Sequence, residues 1–311
     1  MRRILLTGAG GFVGSHLIPA LRAAFPDARL IGASRGAVTE GADEAHALDL
    51  EHMEGAADLI AALRPDAVVH LAAQANVALS FREPLATWRL NLLGTVALGE
   101  AVLRAAPGAR FVFASSGEVY GLSFQAGREL DEDAALRPAN PYAASKAAAD
   151  MALAEMAQRG LRAMRLRAFN QVGPGQSPAY VVAAFARQVA RIEAGLQEPI
   201  IRTGALDRWR DFLDVRDACA AYVAVLRAEA AGGAWNICTG TPRRVGDVLA
   251  ALLTLAGVSA ETREEAERMR PTDVERVLAS PGRAAVELGW RAAIPWERTL
   301  GDVLADWRQR A

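Results

Sequence analysis

The stretch that most constrains the fold is the glycine-rich segment near the N-terminus. Residues 4–6 form a short apolar run, TGAGGFVG (7–14) follows, and a helical pattern begins at once. Strand, tight turn and helix in this order are typical of a dinucleotide-binding unit. Gly8 would allow the turn, Gly11 would let backbone approach a pyrophosphate, and Gly14 would let the helix pack on the strand. The helix N-terminus would direct N–H groups at phosphate. A glycine turn that binds nothing is the alternative.

Strand-like apolar runs alternate with helical patterns over the first half of the chain. They predict strands at 28–33, 45–48, 67–71, 110–114 and 161–166, and helices at about 53–63, 85–106 and 141–159. The run at 67–71 is apolar throughout, as expected of a strand covered on both faces of a sheet. This alternation predicts an α/β fold with a Rossmann-type doubly wound parallel sheet.

The rhythm changes after about Phe169. The later patterns predict a helix at 181–194, strands at 199–202 and 235–238, a helix at 241–256 and proline-interrupted helical pieces over 286–307. We therefore predict a second, smaller mixed α/β lobe that binds the substrate. Residues 1–168, with returning segments near 211–238, would form the dinucleotide-binding domain. Residues 169–210 and 239–311 would form the second lobe.

Charge and composition argue against several classes of partner. The 35 basic and 36 acidic residues give a net charge of −1, so the chain has no overall attraction for nucleic acid or an anionic membrane. No run approaches the roughly 18 apolar residues of a membrane helix. Cys219 and Cys238 offer neither a disulfide framework nor metal-ligand spacing, so we expect no metal and a reducing, cytoplasmic environment.

A tyrosine and a lysine mark a candidate catalytic helix. Tyr142 and Lys146 are four residues apart and would share a helix face. A nearby ammonium would lower the pKa of Tyr142 and make it an acid or base for a carbonyl or alcohol oxygen. Upstream, SSGEVYG (115–121) places hydroxyls just past a strand, at the sheet edge where ligands bind. An ordinary amphipathic helix is the alternative.

With these motifs in place, the chain resembles an extended short-chain dehydrogenase/reductase, a family of NAD(P)-dependent sugar-nucleotide epimerases, dehydratases and reductases. The matching motifs run nearly end to end: TGAGGFVG (7–14), HLAA (70–73), the asparagine of RLNLLGT (89–95), SSGEVYG (115–121), YAASK (142–146), FNQVGPG (169–175), RDFLDVRD (210–217) and RPTDV (270–274). The resemblance implies an enzyme with a nucleotide-sugar substrate. It also implies a homodimer formed through the two long helices.

The resemblance assigns a role to each matching residue. Ser116 would hydrogen-bond the reacting oxygen, Tyr142 would exchange its proton, and Lys146 would bind the nicotinamide ribose; Glu118 is a further catalytic candidate. The cofactor contacts would be Gly8, Gly11, Phe12, Val13, Gly14, Ser34, Arg35, Asp49, Leu50, Leu71, Ala72, Ala73, Asn91, Tyr142 and Lys146. The substrate contacts would be Ser80, Ser116, Asn170, Val181, Arg210 and Arg270. For Arg210, a surface ion-pair cluster is the alternative.

The end of the predicted second strand favours NADP, with NAD as the alternative. An acidic residue there would bind the ribose 2′-hydroxyl of NAD and repel a 2′-phosphate. This chain instead has Ser34 and Arg35, which offer a hydroxyl and a cation to a phosphate. Asp49 matches the family's adenine contact, but it could equally cap a helix.

The sugar and the reaction are less constrained. Residues 71–81, FNQVGPGQ (169–176) and RPTDV (270–274) look most like enzymes that handle GDP-mannose derivatives. A 4,6-dehydratase needs a further base and acid; Glu118 could be the base, but Gly117 stands where some sugar-nucleotide dehydratases have an acid. A 4-reductase needs only hydride delivery and one proton donor. We expect reduction of GDP-4-dehydro-6-deoxy-D-mannose to GDP-D-rhamnose. A 4,6-dehydratase, a 4-epimerase and a non-catalytic dinucleotide sensor are the alternatives.

Overall fold

A computed structural model of the chain describes residues 1–36, 39–52, 54–229, 232–265 and 274–311. Their strands are β1 (Arg3–Thr7), β2 (Arg29–Ser34), β3 (Glu44–Ala47), β4 (Ala67–His70), β5 (Arg110–Ala114), β6 (Arg162–Ala168), β7 (Asn170–Val172), β8 (Ile200–Thr203), β9 (Trp209–Asp214), β10 (Gly233–Ile237), β11 (Pro242–Arg244) and β12 (Glu261–Glu264). Their α-helices are α1 (Phe12–Ala24), α2 (Glu54–Leu63), α3 (Val77–Arg82), α4 (Pro84–Trp88), α5 (Gly94–Ala105), α6 (Pro141–Gln158), α7 (Val181–Glu193), α8 (Val215–Arg227), α9 (Val245–Ala256), α10 (Gly282–Glu287) and α11 (Trp296–Arg310). None of the helices in these ranges has the length and apolarity needed to cross a lipid bilayer.

The main sheet of the described residues has seven parallel strands in the order β10-β6-β5-β4-β1-β2-β3. The chain builds outward from β1 through β2 and β3, then returns to β4 and continues in the other direction. The strand order therefore reverses between β1 and β4, and ligands bind beyond the carboxyl ends of the strands at such a point. The predicted doubly wound α/β fold is confirmed.

Apolar side chains cover both faces of this sheet. Ile4 and Leu6 of β1 pack in one buried cluster with α1 and α8, whereas Leu5 packs in another with α2, α5 and α6. Successive side chains of a strand point to opposite faces, so each central strand contributes to both clusters. This explains why the central strands read as continuous apolar runs.

Smaller sheets carry the second predicted region. The order β11-β9-β7 forms a three-stranded sheet, and β12 pairs with β8. A separate apolar cluster joins α7, α9 and α11, and Phe212 stacks on Trp296 with ring centroids 5.6 Å apart. A smaller mixed sheet is thus present, while the boundaries assigned to the two lobes stay a prediction.

Some elements differ from the sequence-based expectations. The helix expected over 85–106 is interrupted by a π-helical turn, Arg89–Leu93, between α4 and α5. The helix expected from 241 begins at Val245, because Pro242–Arg244 pairs with β9 instead. The expected start of α2 at Met53 lies outside the described residues. Strands β7, β9, β11 and β12 and helices α3 and α8 were not predicted as elements.

Candidate active site

The glycine turn joins β1 to α1 at the carboxyl edge of the main sheet. Gly8 has φ of +70°, and a Cβ there would lie 2.6 Å from the backbone nitrogen of Ala72, so a side chain is excluded. A Cβ on Gly14 would collide with the carbonyl of Ala9, so the bare glycine lets α1 pack on the turn. Helix α1 follows Gly11, and no side chain caps its first turn. This bare helix start, which includes Phe12 and Val13, suits a dinucleotide pyrophosphate.

The end of β2 has the character expected for the adenosine side of such a site. Strand β2 ends at Ser34, and Arg35 follows as an exposed residue. Asp49 caps a local turn: its Oδ1 accepts a hydrogen bond from the Glu51 N–H at 3.0 Å, and its Oδ2 lies 3.1 Å from His52 Nδ1. The hydrogen bond from Glu51 lowers the pKa of Asp49. Leu50 is buried.

Asn91 fixes the segment that follows β4, which begins with the half-buried Leu71, Ala72 and Ala73. The side chain of Asn91 is fully buried. Its Oδ1 accepts a hydrogen bond from the Gln74 N–H at 2.8 Å, and its Nδ2 donates to the Gln74 carbonyl and to Ser145 Oγ, each at 3.0 Å. The amide of Asn91 thus binds protein partners and ties this segment to α6. A direct contact of Asn91 with a cofactor stays a prediction.

A cavity of about 230 Å³ lies beyond the carboxyl ends of these strands. It brings together residues predicted to contact the cofactor or the substrate: Phe12, Val13, Ser116, Glu118, Tyr142, Asn170 and Arg210. Residues that were not singled out also line it, among them Val77, Phe81, Phe124, Asn140, Phe169, Gln171, Gln176 and Tyr180. The motif FNQVGPGQ (169–176) contains three of these and could have indicated them.

Local caps hold the polar residues of the cavity in place. Ser116 caps a 3₁₀ helix, Gly117–Ala126, and its Oγ accepts a hydrogen bond from the Glu118 N–H at 3.1 Å. Asn140 caps α6 by accepting from the Ala143 N–H at 2.8 Å, while its Nδ2 donates to Glu118 Oε2 at 3.1 Å. Asn140 therefore links Glu118 to the helix that carries Tyr142.

Burial dominates the electrostatics of the Tyr–Lys pair. Burial raises the pKa of Tyr142, and hydrogen bonding with Ser116 acts in the opposite direction. Burial lowers the pKa of Lys146 to about 7, against the effect of Asp150 one turn along α6. The expected net lowering of the Tyr142 pKa is therefore wrong for this structure, because desolvation of the phenolate raises the pKa overall.

Two of the predicted substrate residues, Ser80 and Val181, do not line the cavity. Ser80 is fully buried, and its hydroxyl donates to the Val77 carbonyl at 2.7 Å. Val181 begins α7 and packs against the apolar cluster that joins α7, α9 and α11. Arg270 lies outside the described residues. In the part of the chain that is described, no group of three or more His, Cys, Asp and Glu side chains could hold a metal ion.

The chain is similar to known sugar-nucleotide enzymes along its whole length. It is 36% identical over 310 residues to the GDP-6-deoxy-D-mannose reductase of Pseudomonas aeruginosa. The aligned region covers 99% of this chain and 98% of that protein. The structure of RMD from Pseudomonas aeruginosa complexed with NADPH aligns with a TM-score of 0.85 at 36% identity and covers 100% of both chains. The UDP-glucose 4-epimerase of Thermus thermophilus, in complex with NAD, aligns with a TM-score of 0.85 at 31% identity and covers 99% of this chain and 100% of that one.

The sequence profile of one family also spans almost the entire chain. The profile described as GDP-mannose 4,6 dehydratase matches residues 5–303. This span includes the glycine turn, the Ser116 turn and the Tyr142–Lys146 helix. The chain therefore belongs to the GDP-mannose 4,6 dehydratase family of the extended short-chain dehydrogenases/reductases.

Proposed function

We propose that this protein is an NADPH-dependent reductase that converts the 4-keto group of GDP-4-dehydro-6-deoxy-D-mannose into the hydroxyl of GDP-D-rhamnose. One observation carries the proposal. The cavity joins the proton donor Tyr142 and the hydroxyl of Ser116 with one carboxylate, Glu118, among its described lining residues. The 36% identity to a GDP-6-deoxy-D-mannose reductase over nearly the whole chain supports this choice of substrate.

NADP is the proposed cofactor, with NAD as the alternative. The turn at Gly8, Gly11 and Gly14 would hold the pyrophosphate, and Ser34 and Arg35 would bind the 2′-phosphate. The chain's similarity to a protein solved with NADPH supports this assignment, although another similar structure contains NAD. When bound, the reduced nicotinamide supplies the hydride that adds to C4 of the sugar.

Tyr142 completes the reduction by giving its phenolic proton to the C4 oxygen. Its raised pKa keeps the phenol protonated at neutral pH, which is the form that a proton donor needs. The Ser116 hydroxyl would donate a hydrogen bond to the same oxygen as negative charge develops on it. The Lys146 ammonium, on the same face of α6, would stabilise the phenolate that Tyr142 leaves behind.

The nucleotide diphosphate would lie across the second region of the chain. Asn170 and Arg210 line the cavity, and an amide and a guanidinium suit the oxygens of a diphosphate. Arg270 stays a proposed third ligand of the same group. Ser80 and Val181 would act at the border of the sugar and nucleotide sites, through the cavity-lining neighbours Val77 and Tyr180.

Dehydration of GDP-mannose is the second candidate, and the structure disfavours it. Elimination of the C6 hydroxyl requires a base for the C5 proton and an acid for the leaving oxygen. Glu118 could serve as one of them, but position 117 has no room for a second acid beside it, because the ring of Phe169 packs against Gly117. A 4-epimerase needs no such pair and stays an alternative. Only an assay of the product distinguishes it from the proposed reductase.

The decisive experiment mixes the purified protein with NADPH and GDP-4-dehydro-6-deoxy-D-mannose and follows cofactor absorbance. We expect stoichiometric oxidation of NADPH and formation of GDP-D-rhamnose. Tyr142→Phe should abolish turnover while leaving NADPH affinity nearly unchanged, since only the proton donor is lost. No oxidation by the wild-type protein, or conversion of GDP-mannose to a 4-keto sugar, would overturn the proposal.

We also propose a homodimer built on the two long helical segments and a cytoplasmic location. Leu93 lies within the first segment and is 45% exposed, and Met151 on α6 is 62% exposed, so both offer apolar surface to a partner. The free, buried thiols of Cys219 and Cys238 suit a reducing compartment. Light scattering should give the mass of a dimer, and Met151→Glu should give that of a monomer.

A further inference from the structure

Lys146 occupies an unusual place in this chain. It is the only lysine in the sequence, although lysine and arginine together number 35. Its side chain is 2% exposed. Among the described residues, none accepts a hydrogen bond from its ammonium. A buried ammonium without such a partner needs another source of stabilisation, because desolvation favours the neutral amine.

The face of an aromatic ring lies beside that ammonium. Lys146 Nζ is 4.0 Å from the ring centroid of Phe113. Phe113 is fully buried near the carboxyl end of β5, directly before Ala114 and the active-site turn. A cation over an aromatic face is attracted by the ring quadrupole, and the attraction is strongest where water is excluded.

The other charged and titratable groups around Lys146 do not fully balance the charge of its ammonium. Asp150, one turn further along α6, accepts hydrogen bonds from Ser115, Arg165 and Arg167, so its charge is shared with two guanidinium groups. Asp150 therefore gives Lys146 only partial compensation. Tyr142, on the same face of α6, stays neutral because burial raises its pKa.

His70 approaches the same aromatic ring from the neighbouring strand β4. Its ring stacks on Phe113 at a centroid distance of 5.8 Å, and burial lowers its pKa to about 3. Its Nδ1 lies 2.7 Å from Thr7 Oγ1 and its Nε2 lies 2.9 Å from Thr95 Oγ1. His70 is thus a neutral, doubly hydrogen-bonded imidazole. The positive charge of Lys146 also lowers the pKa of His70, so the imidazole stays neutral and adds no second positive charge beside the ammonium.

We propose that Phe113 is a positioning residue for the reaction, whose ring face holds the Lys146 ammonium in its charged form on the face of α6 that carries Tyr142. The inference rests on the proposed function for the role of Lys146, but not on the identity of the sugar. An aliphatic side chain at 113 would fill the space and lose the attraction. An aromatic ring with a weaker quadrupole would keep the packing and lose part of the attraction.

The single lysine allows a direct test that needs no substrate. Protein labelled with ¹³C at lysine Cε gives one lysine side-chain resonance, and its pH titration reports Lys146 alone. We expect the midpoint of the wild type near the pKa of about 7. Phe113→Leu should lower the midpoint by about 0.5 to 1.5 pH units. Trifluorophenylalanine at 113, which is nearly isosteric, should lower it by a smaller amount and tests the idea even if the leucine variant fails to fold.

Phe111→Leu is the matched control. Phe111 is a fully buried phenylalanine two residues earlier on β5. Its ring centroid lies 6.0 Å from that of His70. We expect the Lys146 titration midpoint of the Phe111→Leu variant to equal that of the wild type. Equal midpoints for the wild type and both Phe113 variants would overturn the proposal, as would an equal shift in the Phe111 variant.

The effect on catalysis is measured separately, from the pH dependence of kcat/KM. The pH at which kcat/KM falls on the alkaline side should move down by the same amount as the NMR midpoint in each Phe113 variant. If the Phe113 variants lower the NMR midpoint but leave the pH profile of kcat/KM unchanged, the catalytic part of the inference is overturned. If the wild type shows no NADPH oxidation with the keto sugar, the proposed function fails, while the NMR titration still decides whether Phe113 holds the ammonium.

Discussion

The ring of Phe169 occupies the space that a side chain at Gly117 would need. A Cβ on Gly117 would lie 2.8 Å from carbons of that ring. Phe169 is buried and packs edge-on against Phe124, with ring centroids 6.3 Å apart, so it has little freedom to withdraw. The glycine therefore keeps the Ser116–Glu118 turn close to the aromatic wall of the cavity.

Gly117→Ala should disturb both stability and activity. The added methyl must displace the ring or the turn, which we expect to cost about 1–3 kcal/mol in the free energy of unfolding and to lower kcat. Urea denaturation and the NADPH oxidation assay measure the two effects. Gly301→Ala on α11 is the control, because nothing lies within 4 Å of its Cβ and alanine favours a helix. A Gly117→Ala variant with wild-type stability would contradict this account.

Reductase activity should fall as the pH rises above about 7. The pKa of Lys146 is lowered to about 7, so the ammonium is present below that pH and lost above it. Tyr142 stays protonated across the same range because its pKa is raised. We therefore expect log kcat/KM to decline by roughly one per pH unit on the alkaline side. Lys146→Arg, which stays charged, should lose this decline although its activity is lower.

Loss of stability does not explain that decline. In the unfolded chain Lys146 keeps its proton up to about pH 10.4, whereas the folded protein releases it near pH 7. The unfolded state then binds more protons between these values, so this group makes the fold more stable as pH rises. Circular dichroism should show intact structure where activity is falling; unfolding over the same range would contradict this reading.

Asn91→Ala should weaken cofactor binding through the segment after β4. The substitution leaves the Gln74 N–H and carbonyl and the Ser145 hydroxyl without their partner. We expect a loss of about 2 kcal/mol in stability and a higher KM for NADPH than in the wild type. Gln197→Ala, which removes a hydrogen bond to the Ile200 carbonyl outside the cavity, should leave that KM unchanged. Equal KM values in both variants would show that the segment holds its position without Asn91.

The sequence reveals those parts of the site whose geometry is local. Gly8 and Gly14 are required by the turn itself, and Tyr142 and Lys146 share a helix face by spacing alone. Contacts between distant segments are different. The approach of Phe169 to Gly117 depends on how the end of β6 meets the end of β5, which no short pattern records.

Burial is a second property that spacing does not reveal. The positions of Tyr142 and Lys146 suggested that the ammonium would lower the pKa of the phenol. In the folded chain both groups are desolvated, which favours their neutral forms. The pKa of Tyr142 is therefore raised and that of Lys146 is lowered. The polar strand Trp209–Asp214 was also missed, because its sequence reads as a charged cluster although most of its side chains are buried.

Arg35→Ala should change the choice between cofactors. Arg35 is exposed directly after β2 and is the proposed partner of the 2′-phosphate. Loss of a charge-assisted hydrogen bond should raise KM for NADPH by about tenfold or more and leave KM for NADH nearly unchanged. Arg104→Ala on α5 is a control for the loss of one positive charge. Equal effects of Arg35→Ala on both cofactors would place the 2′-phosphate elsewhere.

Asp150→Asn should be among the most damaging conservative substitutions outside the cavity. Asp150 is fully buried and pairs with Arg165 at 2.8 Å and Arg167 at 3.0 Å. Burial alone would raise the pKa of Asp150, but the hydrogen bond and charge of Arg167 outweigh it, so the pKa is lowered. The amide would leave two guanidinium groups without their anion, at a cost of about 3–5 kcal/mol in the free energy of unfolding.

The pH dependence separates this charge effect from a general packing defect. A carboxyl whose pKa is lower in the folded protein stabilises the fold above its unfolded pKa of about 3.9, and this contribution is lost as pH falls through the folded value. The stability gap between the wild type and Asp150→Asn should therefore be widest near neutral pH and should narrow below about pH 4. Glu193→Gln, which breaks a partly exposed pair with Arg308, should cost less than about 1 kcal/mol. A gap that is constant between pH 3 and 7 would show that Asp150 acts through its shape and not through its charge.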